Sequence, residues 1–231
     1  MQQKELRILY EDTSLLVCVK PAGIASQGGS SFQTDLTDLL KTLLKKRGEI
    51  TGEPYLGVIH RLDQPVGGIM VFAKEPESAA ALSAQAASDK MKKRYYAVLE
   101  SKPVFTDGEL INYLLRDNRT NMSHVVDEGK KEKGVKRADL SYHILEEKSY
   151  KEQKVWLAEI TLKTGRHHQI RVQFSHAGCP LYGDRKYNPT TEGKELALFS
   201  HYLEFVHPKT KKVMQFDQKP TNGIFSLFFE K

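Results

Sequence analysis

Three short stretches of this chain gather the side chains that can do chemistry. Residues 58–74, VIHRLDQPVGGIMVFAK, set His60, Arg61, Leu62 and Asp63 between two apolar runs. Residues 93–95 place a lysine and an arginine before Tyr95, and residues 164–171, TGRHHQIR, carry Arg166, His168, Gln169, Ile170 and Arg171. A carboxylate can attack a carbon or remove a proton, and a guanidinium beside it keeps it ionised and oriented through paired hydrogen bonds. A phenol can stack on a ring or assist a proton transfer. Taken alone, an aspartate between two strands is usually a turn former or a surface charge. What marks Asp63 is its place among charged residues where the chain leaves a sheet.

Other chemistries fit less well. His167, His168, His176 and Cys179 lack the Cys-x-x-Cys or His-Glu-x-x-His spacings, so no metal site is expected. The Gly- and Ser-rich run 28–31 lacks the Gly-Lys-Ser/Thr of a phosphate-binding loop and is read as a plain loop. Cys18 and Cys179 are too few for a disulfide framework and are expected to be reduced and structural. A glycosidase-like hydrolase needs a second positioned carboxylate, and Asp63 has no convincing partner for that role.

In order along the chain, HRLD with a Gly-ended turn and a strand ending Ala-Lys, then KRY, TGRHHQIR and GCPLYGDRKY resemble the motif series of the RluA-type pseudouridine synthases. The resemblance implies that Asp63 is the catalytic carboxylate, Arg171 its ion-pair partner and Tyr95, not Tyr96, the active-site aromatic. It implies substrate-binding roles for His60, Arg61, Leu62, Arg166, His168, Gln169 and Ile170. The implied activity turns specific uridines of ribosomal or transfer RNA into pseudouridine, an isomerisation that needs no cofactor. RNA is the expected partner, with no membrane and no metal, and the chain is expected to be a monomer. A rival reading is a catalytically silent RNA-binding module on the same scaffold; the intact Asp, Tyr and Arg set argues against it. The sequence departs from the pattern at Val66-Gly67-Gly68, where Thr-Ser-Gly is usual, at His167, where a small Ser or Thr is usual, and at Gln173, where His is common.

The elements that must position these residues follow from periodicity. Alternating or continuous apolar runs predict strands over 6–10, 14–20, 95–99, 109–115, 135–145, 155–162, 196–205 and 213–216. Leu36, Leu39, Leu40, Leu43 and Leu44 form one stripe of a helix over 35–47, with Thr34 as N-cap and Gly48 as terminator. Further helices are expected over 77–89, after Pro76, and over 170–177, before Gly178. The polar stretch 116–134 reads as a mobile binding loop or an exposed hairpin with a strand at 122–126. The apolar tail 224–229 should dock on the body. Strands outnumber helices and are joined by short links, which predicts an α+β fold with a largely antiparallel sheet and flanking helices. The resemblance adds a central RNA-binding cleft in a single catalytic domain over 1–231, without a separate N-terminal RNA-binding domain.

The composition agrees with this. A chain of 231 residues with 39% apolar and 28% charged residues is ordinary for a globular protein. No run reaches the roughly 20 apolar residues of a membrane helix. The first residues lack the apolar centre of a signal peptide, so a cytoplasmic location is expected. A net charge of +6, with basic clusters at 41–47, 90–94, 130–137 and 209–212, favours an anionic partner.

Overall fold

The computed structural model describes residues 6–28, 34–47, 52–88, 90–129 and 132–230. The chain divides into two compact units, Met1–Lys93 with Ser200–Gln218, and Arg94–Phe199 with Lys219–Lys231. In chain order its elements are β1 (Arg7–Glu11), β2 (Leu15–Lys20), α1 (Leu36–Lys46), β3 (Gly57–Val58), β4 (Gly67–Ala73), α2 (Pro76–Ala86), β5 (Lys92–Leu99) and β6 (Asp107–Asp117). Then follow β7 (Met122–Val126), β8 (Lys136–Tyr150), β9 (Gln153–Leu162), α3 (Gln169–His176), β10 (Leu198–Val206) and β11 (Val213–Asp217). The architecture is α+β with a largely antiparallel sheet and few helices, as the strand-rich pattern predicts.

In the first unit the strands run β1-β2-β4-β10-β11, and the two-residue β3 also pairs β4. All seven residues of β4 are buried, which is why its sequence is continuously apolar rather than alternating. Ile69, Val71 and Ala73 share one core with Leu15, Val17 and Leu82 of α2. Met70 and Phe72, opposite Cys18 and Leu16, fill the other face. Helix α1 buries Leu36, Leu40 and Leu44, and its N-cap is Asp35 rather than Thr34. The Asp35 carboxylate accepts from the Asp38 N–H at 2.9 Å and from the Gly28 N–H at 2.7 Å, so it caps the helix and closes the preceding loop together. The expected terminator Gly48 and most of the 28–31 run lie outside the described residues.

In the second unit the order is β5-β9-β8-β6-β7, antiparallel throughout. The stretch after β6 is an exposed hairpin: β7 pairs β6 from Tyr113↔Val126 to Asp117↔Met122. Its turn is closed by the Asp117 carboxylate, which accepts from the Arg119 N–H and the Thr120 hydroxyl at 2.8 Å each. The tail docks as expected, with Ile224 and Phe225 buried and Phe229 against the Tyr96 ring at 5.0 Å. Both cysteines are free and buried.

The turn into β4 constrains the sequence most tightly. Gly68 has φ +133°, and a Cβ there would stand 2.4 Å from the Ser200 carbonyl oxygen. Val66 is 2% exposed and adds apolar surface to the buried turn. We expect Gly68→Ala to cost about 3 kcal/mol in urea unfolding, from combined backbone strain and overpacking. A cost under half of that would show that the strand can shift to make room.

Candidate active site

The first unit supplies His60, Arg61, Leu62 and Asp63. They lie on the eight-residue link from β3 to β4, after which the Val66 N–H donates to the Asp63 carbonyl at 2.9 Å and turns the chain into the sheet. The backbone on either side of Asp63 is fixed by the segment that follows β2. Ser26 Oγ donates to the Leu62 carbonyl at 2.7 Å and accepts from the Leu62 N–H at 3.1 Å. Beyond Asp63, the Gln64 carbonyl accepts from the Gly23 N–H at 2.8 Å and from Lys20 Nζ at 3.1 Å. Asp63 therefore sits on a backbone pinned both before and after it. Leu62 is 6% exposed and contributes through this anchoring, whereas Arg61 projects into solvent.

Two ionisable groups around this link have shifted equilibria. Lys20 is fully buried and donates to the carbonyls of Pro21, Ile24 and Gln64 at 3.1, 2.6 and 3.1 Å. Burial lowers its pKa to about 8, against the attraction of the Asp63 carboxylate, which raises it. His60 is pushed down to about 3 by burial and secondarily by Lys93. It is neutral at pH 7, in agreement with its Nε2 accepting the Val71 N–H at 3.3 Å. The sequence suggests a substrate contact for His60; here one ring nitrogen braces β4.

The second unit supplies Tyr95, Arg166, His168, Gln169, Ile170 and Arg171. Arg171 is 4% exposed and is gripped by Asp184, with Nε to Oδ2 at 2.8 Å and Nη2 to Oδ1 at 2.6 Å. This bidentate pair holds the guanidinium plane in one orientation. The Tyr187 ring lies beneath it, 5.3 Å from Cζ. Sequence reasoning left Asp184 and Tyr187 without a role, although both stand in the GDRKY segment. Gly183, at φ +75°, is the signal for the tight turn that swings Asp184 inward.

Helix α3 begins without a side-chain cap, from His168 in the left-handed region at φ 54°. Gln169 does the stitching instead: its side-chain oxygen accepts from Thr164 Oγ1 at 2.8 Å and the Arg166 N–H at 2.9 Å, and Nε2 donates to the Asp139 carbonyl at 3.0 Å. Arg166 is exposed, with Nε donating to the Arg137 carbonyl at 2.8 Å. Ile170 is 4% exposed and belongs to the core. Gln173, in place of a histidine, ties α3 to β6 and β8 by donating Nε2 to the Leu110 carbonyl, Asn112 Oδ1 and the Ala138 carbonyl at 2.9, 2.8 and 3.2 Å.

Register distinguishes Tyr95 from Tyr96. Tyr95 and Tyr142 both oppose Ile160, from β5 and β8 on either side of β9, so the three side chains share one face. On that face Tyr142 packs edge-on against Phe174 of α3 at 5.4 Å, and Phe174 lies three residues after Arg171. Tyr95 and Arg171 are thus brought to the same side of the second unit's sheet, while Tyr96 points away toward the tail.

The basic clusters are less uniform than the sequence suggests. Lys45 pairs with Glu53, Arg47 with Glu11, Lys92 with Glu204, Arg137 with Asp139 and Lys209 with Glu75, so much of that charge is locally cancelled. The hairpin differs. Arg116 Nη2 and Lys186 Nζ donate to the side-chain and backbone oxygens of Asn121 at 2.9 Å each, neutral acceptors that leave their charge in force. With exposed Arg119, and with Asp117 in the turn offsetting one charge, they leave the tip of β6–β7 net positive.

The profile of the RNA pseudouridylate synthase family matches residues 14–176, a span that holds Asp63, Tyr95 and Arg171. This chain belongs to that family of isomerases. It is 34% identical over 235 residues to the ribosomal large subunit pseudouridine synthase D of Pseudomonas aeruginosa, covering 94% of this chain and 68% of that one. It is 30% identical over 216 residues to the ribosomal large subunit pseudouridine synthase C of Buchnera aphidicola, covering 90% and 65%. The chain thus spans about two thirds of the length of these relatives. In fold it resembles human RNA Pseudouridylate Synthase Domain Containing 4, with a TM-score of 0.77, 24% identity and coverage of 96% and 91%.

The pinned backbone at Asp63 yields a direct test. Lys20→Met removes the shared donor of three carbonyls and should cost about 3 kcal/mol. Below pH 8 lysine is protonated both folded and unfolded. Between about 8 and its ordinary 10.5, the unfolded chain keeps a proton that the folded protein has shed, so the wild type gains stability as pH rises. The deficit of the Met variant should therefore grow from pH 8 to 10, as read by denaturant midpoints at fixed salt. A flat difference would mean that Lys20 titrates normally.

Proposed function

We propose that this chain isomerises specific uridines of RNA to pseudouridine, with ribosomal RNA as the first substrate class to test and transfer RNA as the second. The observation that carries the reading is the family match over residues 14–176, a span that includes Asp63, Tyr95 and Arg171, together with an Arg171 already locked in one orientation by Asp184. The names of the relatives, ribosomal large subunit pseudouridine synthases, favour ribosomal RNA.

The reaction breaks the bond between N1 of uracil and C1′ of ribose and makes one between C5 and C1′. C5 loses a proton and N1 gains one, so no redox partner or group donor enters. In this reading Asp63 acts at the ribose, and Arg171 holds that carboxylate ionised against desolvation. Tyr95 stacks on the uracil or assists loss of the C5 proton. Turning the uridine out of folded RNA costs a few kcal/mol, which phosphate contacts offset. Arg61 and the positive tip formed by Arg116, Arg119 and Lys186 are suited to those contacts. Three of the other positions that the resemblance singles out act mainly as supports: His60 on β4, Leu62 on Ser26, Gln169 on the turn before α3.

The reading is tested by mapping pseudouridine in total RNA from cells with and without the gene, with rescue by wild type or Asp63→Asn. We expect loss of discrete sites, restored by the wild type alone, with the variant still folded and still binding RNA. Substantial turnover by Asp63→Asn would remove the carboxylate from the chemistry. No change at any site, and no product on transcribed ribosomal or transfer RNA, would favour the silent-module reading. Arg171→Lys should lower turnover at least about 100-fold, since lysine cannot reproduce the planar two-point grip on a carboxylate. Near-normal turnover would exclude Arg171 from the site.

A further inference from the structure

One hydrogen-bonded cluster in the second unit has no part in the chemistry above, yet it reaches from the hairpin to Arg171. Its hub is Tyr187. The phenol oxygen accepts the backbone N–H of Ser123, on β7, at 2.8 Å, and stands 2.9 Å from Nδ1 of His168, to which its own proton can go. Its ring lies under the Arg171 guanidinium at 5.3 Å and meets His168 edge-on at 5.6 Å. Its carbonyl accepts from Ser175 Oγ at 2.8 Å, which fixes the Tyr187 backbone to α3. A second tie runs beside it. Ser123 Oγ donates to the His167 carbonyl at 2.9 Å and lies 2.9 Å from His167 Nδ1, while the His167 ring stacks on His168 at 3.8 Å. Ser123 is 2% exposed, although it sits on an otherwise solvated hairpin.

We propose that Tyr187 is a positioning residue that couples the seating of the β6–β7 hairpin to the placement of Arg171. One side chain touches both: its hydroxyl holds the hairpin backbone and its ring face supports the guanidinium. The inference rests on the functional reading above, in which the hairpin contacts RNA and Arg171 serves the reacting carboxylate. The His167 ring adds to the tie by stacking on His168 and meeting Ser123 Oγ. RNA that presses on the Arg116, Arg119 and Lys186 tip therefore acts on the same rigid body that carries Arg171. Lys186 strengthens that body, since its ammonium joins the Tyr187 segment to the hairpin turn at Asn121.

The two functions of Tyr187 separate in two variants. Tyr187→Phe keeps the ring under Arg171 and removes the hydroxyl. Hydrogen exchange at the Ser123 amide should then quicken about tenfold or more, the worth of one hydrogen bond. The Arg171 Nε–H resonance should keep its protection. RNA affinity should weaken by about tenfold, with the saturated single-turnover rate staying within about threefold of wild type. Tyr187→Leu removes the ring as well, so the Arg171 Nε–H protection should fall and the saturated rate should drop about tenfold or more. The split between affinity and rate is what a merely structural role would not produce.

The proposal fails if Tyr187→Phe leaves both Ser123 exchange and RNA affinity unchanged. It also fails if the two variants lose affinity and rate in the same proportion. Should Tyr187→Leu not fold, the Phe variant decides alone through Ser123 exchange and affinity. If the wild type forms no pseudouridine on any RNA, the functional reading falls by itself. The exchange measurements at Ser123 and Arg171 then still decide whether Tyr187 joins the two.

Discussion

A guanidinium with almost no access to water is the constraint around which the second unit is arranged. Arg171 is 4% exposed and Asp184 1%, and neither charge is tolerable there without the other. Removing one partner from such a pair typically costs several kcal/mol, because the remaining charge is left desolvated and unmatched. The surrounding features serve this demand. Gly183 bends the chain so that Asp184 faces inward, Tyr187 provides an aromatic face, and Gln169 and Gln173 fasten α3 to the strands beneath it. A pair so fully satisfied contributes orientation more than stability, and orientation is what the role proposed for Arg171 requires.

The first unit solves a related problem with backbone groups, a hydroxyl and one buried lysine. Its carboxylate is half-buried and projects from a backbone that cannot drift, because Ser26, Gly23 and Lys20 hold the residues on both sides. The cation used for this is itself buried among carbonyl oxygens rather than paired directly with an acid. Burying that charge is costly, as its lowered pKa records, and the cost is met because three backbone acceptors would otherwise lack that donor.

Much of this was legible in the sequence, and what was hidden shares one cause. The strands, the Leu stripe of α1 and the antiparallel arrangement follow from period and composition, which are local properties. Asp63, Tyr95 and Arg171 stand out because each lies in a compact motif. Asp184 is thirteen residues from Arg171, Lys20 is forty-four from Gln64, and Ser123 is sixty-four from Tyr187. Nothing in a short window announces those partners; they become visible only once the strands are in register. The basic clusters misled in the opposite direction, since a run of lysines shows its own charge but not the glutamates that fold against it. Thr34, the expected cap, gave way to Asp35, whose carboxylate also reaches the Gly28 N–H, a partner that a short window does not show.

The link that carries Asp63 closes against a segment roughly forty residues earlier in the chain, across α1 and the polar stretch after it. Pairing of β2 with β4, from Leu15↔Ala73 to Lys20↔Gly68, is what brings these segments together and closes the loop, so the bonds depend on that pairing. The carboxylate accordingly acquires its surroundings only after β2 and β4 have paired. A chain still emerging or partly unfolded holds the motif but not the site. Local opening of the 20–26 segment would therefore release the backbone around Asp63 without unfolding the rest of the unit.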